Sequence, residues 1–163
     1  LAHRDVHGDN IIVLPSGELR LIDFEFMSIA PRSFDIANFF LECCFVEESE
    51  TWDWGQLPSD AEKIAFATAY ADELRQLSGT APSPSELAAE FDDGWPLVAH
   101  LWNVLWALTS AAAEQSSAAA PAVGGGFDYM EYAFQRWERY LEERKEYPDP
   151  KLKKATVEGE MRV

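Results

Sequence analysis

Two runs of this chain read as β-strands, and both lie at its start. Residues 10–14 (Asn-Ile-Ile-Val-Leu) and 19–23 (Leu-Arg-Leu-Ile-Asp) are β-branched and apolar, and Pro15-Ser16-Gly17 between them has turn chemistry. Everything after this hairpin is patterned as helix. The strand–helix alternation that builds a doubly wound sheet is missing. The spacing therefore predicts an α+β domain, predominantly helical, with one small β-hairpin. A length of 163 residues suffices for one real core.

Helix signals place the rest. Ser33 is expected to cap a helix over 34–45, followed by an acidic, tryptophan-bearing loop over 47–58. Ser59 opens a second helix to about residue 77, with Gly79 as its stop. Its apolar stripe is Ile64, Ala67, Ala71 and Leu74, a spacing that keeps one face buried. Pro82 to Pro84 reads as a turn, and Ser83 or Ser85 starts a short helix. Residues 95–113 form a long apolar helix with Pro96 in its first turn, where a missing N–H costs nothing. An Ala- and Gly-rich loop over 116–126 and a last helix over 127–145 follow. The expected organisation is one lobe over 1–145 and a charged tail over 146–163 that frays.

Charge excludes some partners. The net charge is −16, from 29 acidic against 13 basic residues. Such a surface repels nucleic acid and anionic lipid and attracts small cations. The most apolar stretch, 97–108, is shorter than the roughly 18 residues of a membrane span and contains His100 and Asn103. The two cysteines, Cys43 and Cys44, are adjacent and cannot bridge across a fold, and no Cys/His ligand spacing is present. A reducing, cytoplasmic setting is expected.

The chemistry lies at the beginning. His3-Arg4-Asp5-Val6-His7-Gly8-Asp9-Asn10 has the spacing H-R-D-x-x-x-x-N, and Asp23 follows within Leu21-Ile22-Asp23-Phe24-Glu25 at the end of the second strand. This pair of segments resembles the catalytic loop and metal-binding segment of the protein-kinase-like fold. Phosphoryl transfer needs position and positive charge more than covalent help. In that reading Asp5 accepts the proton of an attacking hydroxyl. Asn10 and Asp23 offer oxygen ligands to Mg²⁺, which keeps several waters and needs few protein groups. A second register, His7-Gly8-Asp9, resembles aminoglycoside phosphotransferases. It requires Asn five residues after the aspartate, and position 14 is Leu. His7 and Asp9 are therefore read as loop residues.

Further segments join these: Phe34-Asp35-Ile36-Ala37-Asn38 with Glu42, His100 to Leu108, and Phe127-Asp128-Tyr129-Met130-Glu131-Tyr132-Ala133. Together they resemble the choline/ethanolamine kinase family over roughly residues 1–145. The resemblance implies the C-terminal lobe of a two-lobed, kinase-like fold. It implies ATP-dependent phosphorylation of choline or ethanolamine, the first step of the CDP-choline/CDP-ethanolamine route to phospholipids. It makes Asp5 the base, Asn10 and Asp23 the ligands of Mg²⁺ with Glu25 beside it, and Asp35 a brace of the catalytic loop.

It also implies an amine pocket. A quaternary ammonium has no N–H to donate and is held by aromatic faces and a nearby acid. Trp106, Phe127, Tyr129 and Tyr132 stand where the family's aromatic cage is expected, with Glu42 as the acid. Tyr129 and Tyr132 are spaced to face one cleft, which favours choline. There are departures. Relatives carry two tryptophans three residues apart in the long helix, whereas Trp102 and Trp106 are four apart and Asn103 holds the first position. Where an aromatic often follows Glu42, this chain has Cys43, Cys44 and Glu47. Ethanolamine could use Glu42 and Glu47 as acceptors.

Residues 1–163 hold no glycine-rich phosphate loop of the kinase type and no lysine placed to reach the α/β-phosphates. Leu1 is not a start methionine. The expectation is a longer protein whose nucleotide-binding N-terminal lobe is absent here, so that this chain alone has little or no turnover. The rival readings are a kinase for another hydroxylated amine, such as an aminoglycoside, and a non-catalytic cation-binding module.

Overall fold

A computed structural model describes residues 1–116 and 126–147. Two antiparallel hairpins and five α-helices make up the described chain, joined by short 3₁₀ turns. Strands β1 (Ile11–Val13) and β2 (Leu19–Leu21) pair with Ile11 opposite Leu21 and Val13 opposite Leu19. Gly17, at φ +84°, supplies the left-handed residue of their turn. The strands are shorter than the sequence pattern, because Asn10 is drawn into a 3₁₀ turn, Gly8–Asn10, at the end of the loop over residues 3–10.

Helix α1 (Arg32–Glu42) starts and ends earlier than expected. Ser33 is not its cap: its Oγ donates to Glu90 Oε1 at 2.6 Å, tying α1 to a later helix. The early end frees Phe45 and Val46 to form β3 (Phe45–Val46), which pairs with β4 (Thr51–Trp52). The expected loop over 47–58 is thus half hairpin. Glu50, at φ +50°, makes the turn, and the strands bring Phe45 and Trp52 into ring contact at 4.9 Å.

The helices α2 (Asp60–Ser78) and α3 (Pro84–Asp92) each begin with a capping box, Ser59 with Glu62 and Ser83 with Glu86. Gly79, at φ +80°, closes α2. The buried face of α2 carries Ala67 and Ala71 but not Ile64, which is 39% exposed. Phe66 and Tyr70 take its place against Phe40, Leu87 and Phe91, because large rings fill the gap between α1, α2 and α3 better than one aliphatic residue.

Helix α4 (Trp95–Ser116) runs through the middle, packing on α1 and on α5 (Tyr129–Glu143). It presents Ala99 and Ala107 where the neighbouring helices come closest, so short side chains permit the approach. Helix α5 begins at Tyr129, not Phe127, because the Asp128 side chain accepts from the N–H groups of Met130 and Glu131 and caps it. After α5, a 3₁₀ turn (Arg144–Glu146) leads to Tyr147, whose hydroxyl donates to the Asp92 carbonyl at 2.6 Å. Most of the expected 116–126 loop and of the 146–163 tail lies outside the described residues. No helix among the described residues is long and apolar enough to cross a membrane.

Candidate active site

The loop over residues 3–10 is held from below by Asp35. Its Oδ2 accepts the N–H of His3 and its Oδ1 the N–H of Arg4, both at 2.7 Å. These bonds fix a strained backbone, since Arg4 sits at φ +70°. The Arg4 guanidinium lies 3.8 Å over the Trp102 ring and donates to Ser28 Oγ at 2.9 Å. Trp102 is therefore engaged by the loop on one face, and it also lines the cavity described below. The buried His3 ring reaches the Ile22 carbonyl at 2.8 Å through Nε2, linking the loop to the end of β2.

Asn10 closes the loop. Its amide nitrogen faces three acceptors: the Asp5 carbonyl at 2.9 Å, Asp5 Oδ2 at 3.1 Å and His7 Nε2 at 2.9 Å. Two amide hydrogens serve these three, which leaves the amide oxygen for another partner. The Ile22 N–H donates to the Asn10 carbonyl at 3.0 Å, so the backbone just before Asp23 runs beside Asn10. Asp23 itself is exposed, with φ +60°, and Glu25 is exposed as well. Neither lines a cavity described below. Among the described residues, no three His, Cys, Asp or Glu side chains converge on a metal position. Oxygen donors from Asn10 and Asp23 on adjoining backbone suit Mg²⁺, which keeps much of its water shell.

Above the loop lies a cavity of about 300 Å³. Asp5, His7 and Asp9 form one side; Phe26, Phe45, Trp102, Trp106, Phe127 and Tyr132 supply the aromatic lining; Glu42, Glu47 and Asn103 complete it. The aromatic side is continuous, with Trp106 and Tyr132 centroids 5.7 Å apart and Phe127 and Tyr132 5.4 Å apart. Tyr129 is not part of this wall. It packs edge-on behind Trp106 and Phe127, at 5.5 and 5.0 Å, because Tyr132 takes the inward position on α5.

Charge in the cavity is organised around one ion pair and one acidic pair. Glu42 Oε1 accepts from Arg136 Nη2 at 3.1 Å and from the Tyr132 hydroxyl at 3.4 Å. Burial raises the Glu42 carboxyl from its usual range, with Arg136 working against that rise. At the mouth, Asp9 raises the exposed Glu47 carboxyl by hydrogen bond and by like charge. His7 is raised above its ordinary value by the Asp5 carboxylate beside it, against the lowering by burial.

A larger cavity, about 530 Å³, lies elsewhere, lined by Leu41, Phe91, Lys63, Asp92, Arg139 and Glu143 among others. Its charges pair with one another, Lys63 with Asp92 at 2.8 Å and Arg139 with Glu143 at 2.7 Å. It contains no residue of the loop over 3–10.

A family model described as choline/ethanolamine kinase matches residues 1–141. The chain belongs to the choline/ethanolamine kinase family. It is 29% identical over 147 residues to ethanolamine kinase of Drosophila melanogaster, covering 90% of this chain and 26% of that protein. It is 28% identical over 160 residues to choline kinase alpha of Mus musculus, covering 88% of this chain and 33% of that protein. The solved structure of a Plasmodium vivax ethanolamine kinase superposes with a TM-score of 0.64 at 24% identity, covering 86% of this chain and 33% of that one. The chain thus spans about a third or less of these relatives. Its fold is the helical C-terminal lobe of the protein-kinase-like fold, with two small hairpins.

For a member of this family, several cavity residues were not singled out from sequence. The sequence pattern places Phe45 at the end of a helix, and only the β3–β4 pairing turns it inward. The motif register makes His7 and Asp9 plain loop residues, yet both line the cavity. Arg136 was not distinguished at all. Its signal was faint: one basic residue four positions after Tyr132, on the apolar side of an otherwise charged helix.

Proposed function

We propose that this chain forms the catalytic and amine-binding lobe of a kinase that transfers a phosphoryl group from ATP to the hydroxyl of choline or ethanolamine. One observation carries the reading: Asp5 and the aromatic side chains of Trp106, Phe127 and Tyr132 line a single cavity. The distance between a hydroxyl and an ammonium in such an amino-alcohol is short, so both ends must be recognised in one small space. A volume of about 300 Å³ suits a substrate of that size.

In this reading the ammonium rests against the faces of Trp106, Phe127, Tyr132 and Phe45, with the acids of the cavity supplying long-range attraction. The hydroxyl points to Asp5, whose carboxylate takes its proton as the oxygen attacks. Asn10 holds that carboxylate by its amide N–H and keeps it from turning away. Asp35 keeps the loop backbone in place. Asn10 and Asp23 would hold Mg²⁺, with Glu25 beside it; when bound, the ion offsets charge on the phosphate. ATP binding also requires groups beyond those that this lobe offers. A cytoplasmic setting fits the same reading.

The acids at the mouth, Asp9 and Glu47, keep an aminoglycoside as the alternative substrate, since polycations favour acidic pockets. The test is a substrate panel. The complete reading frame carrying this segment is incubated with Mg-ATP and choline, ethanolamine or an aminoglycoside, and products are read by ³¹P NMR. Formation of a phosphomonoester of choline or ethanolamine is expected. Turnover of the aminoglycoside alone, or of none, would sink the proposal.

A further inference from the structure

We propose that Arg136 is the positioning residue of the amine pocket: from behind its wall, it fixes the Glu42 carboxylate and the Tyr132 ring and keeps Glu42 available as an anion. The inference rests on the reading of this cavity as the amine site.

Arg136 is the largest fully buried side chain of the described residues, at 0% exposure, and does not itself line the cavity. A buried guanidinium is costly unless it is paired. Its Nη2 donates to Glu42 Oε1 at 3.1 Å and lies 3.4 Å from Asn38 Oδ1. Asn38 Oδ1 in turn accepts from Asn103 Nδ2 at 2.8 Å. One guanidinium thus reaches two cavity residues, Glu42 directly and Asn103 through Asn38. The same group lies 4.5 Å from the Trp52 ring centroid and 5.9 Å from that of Tyr132. Its Nε and Nη1 have no hydrogen-bond partner, so stacking on Trp52 is what they receive instead.

Two consequences follow for recognition. The Glu42–Arg136 pair is close to neutral, so Glu42 does not act as a bare charge on the bound ammonium. Without Arg136, Glu42 would be a buried carboxylate with Tyr132 as its remaining protein partner, and it would take up a proton. The pocket would then lose both the anion and the hold on the Tyr132 ring. ATP would not be affected, because Arg136 lies on the amine side of the catalytic loop.

The test compares Arg136→Met, which preserves bulk without charge, with Arg136→Lys, which keeps charge without the planar stack. In the complete reading frame, Arg136→Met is expected to raise the KM for amine about tenfold or more, consistent with loss of one buried, paired charge. The KM for ATP should change less than about twofold. Arg136→Lys should restore part of the amine KM. The ¹³C titration of the Glu42 carboxyl, measured on the 163-residue chain, should move upward in Arg136→Met. If Arg136→Met does not fold, Arg136→Met with Glu42→Gln removes the stranded carboxylate; it should fold and still show the raised amine KM. An unchanged Glu42 titration, or equal changes in the KM for amine and for ATP, overturns the proposal. A Glu42 titration that moves in a protein that phosphorylates no amine upholds the hold of Arg136 on Glu42 and sinks the functional reading instead.

Discussion

The amide of Asn10 donates to Asp5 twice over, to its backbone carbonyl at 2.9 Å and to its carboxylate at 3.1 Å. The loop between them is closed on itself, and the Asp5 carboxylate is aimed before any substrate arrives. In the kinase reading this is preorganisation: the base does not pay to be oriented during the reaction. Replacing Asp5 with Asn keeps shape and hydrogen bonding but removes the proton acceptor. Phosphoryl transfer to the amino-alcohol should fall by about 10²–10⁴-fold. Amine binding, read by calorimetry, should be nearly unchanged. Wild-type rates in Asp5→Asn would remove it as the base.

Asp35 offers a different outcome, because its partners are backbone groups. It takes the N–H of His3 and of Arg4, and those two groups have no other protein acceptor at hand. Asp35→Ala strands them in a part-buried place. A cost of roughly 1–3 kcal/mol is expected from an unsatisfied buried donor. Chemical denaturation of the chain should show that loss. Asp35→Asn, which retains one acceptor oxygen, should lose less. Equal stability of Asp35→Ala and wild type would mean that water replaces the carboxylate.

The loop and the hairpin were legible in sequence because their signals are local. Turn residues at 15–17, a β-branched run and the H-R-D-x-x-x-x-N spacing each act over a few residues. Capping at Ser59 was legible for the same reason, and the start of α3 was narrowed to Ser83 or Ser85, of which Ser83 is the cap. The amine side was less so. Phe45 faces the cavity only because β3 pairs with β4, and Tyr129 turns behind Trp106 only because Asp128 sets where α5 begins. Arg136 was invisible, since a buried arginine is defined by partners, Glu42, Asn38 and Trp52, that are distant in sequence. Tertiary packing decides such positions, and periodicity does not carry it.

The placement of Tyr129 separates two aromatic positions that sequence spacing treats alike. Trp106 lines the cavity and Tyr129 packs behind it at 5.5 Å. A cation–π contact is worth about 0.5–2 kcal/mol, or roughly 2- to 30-fold in affinity. Trp106→Ala should therefore raise the KM for choline at the upper end of that range, since it also opens the wall. Tyr129→Leu, which keeps bulk behind Trp106, should change it by less than about threefold. The measurement is amine KM at saturating ATP for both variants. A larger effect from Tyr129→Leu would place Tyr129, not Trp106, against the ammonium.

His100 makes folding sensitive to acid. It is fully buried, 3.3 Å from Glu143, and burial lowers it to about 4 from 6.5. Between those values the unfolded chain binds a proton that the folded one refuses, so stability falls as pH drops through that window. The loss should reach the order of 3 kcal/mol at its lower end. Glu143, lowered by its hydrogen bonds to His100 and Arg139 against the rise from burial, adds its own loss only at more acid pH. Urea denaturation of wild type and His100→Asn between pH 7 and pH 4.5 reads the difference. The wild-type slope should exceed that of the variant, and parallel curves would show that His100 is protonated in the folded state.

His7 sets a separate dependence, of binding and not of folding. Its imidazole lies 3.8 Å from Asp5 Oδ2 and 3.9 Å from Asp9 Oδ2, and the Asp5 carboxylate beside it raises it above 6.5 despite burial. Below its folded value, His7 is a cation on the wall of a cavity that receives a cation. The charge repels the ammonium and draws on the Asp5 lone pairs that a hydroxyl needs. Deprotonation removes both effects and leaves Nε2 as an acceptor for the Asn10 amide at 2.9 Å. The apparent KM for choline should therefore rise as pH falls through a value above 6.5. Choline keeps its charge at every pH, so the profile reports the protein alone. His7→Gln, which accepts from Asn10 but never carries charge, should flatten that profile while keeping the alkaline KM. A profile with the same midpoint in His7→Gln would assign the titration to another group of the cavity, with the Asp9–Glu47 pair at its mouth as the next to test.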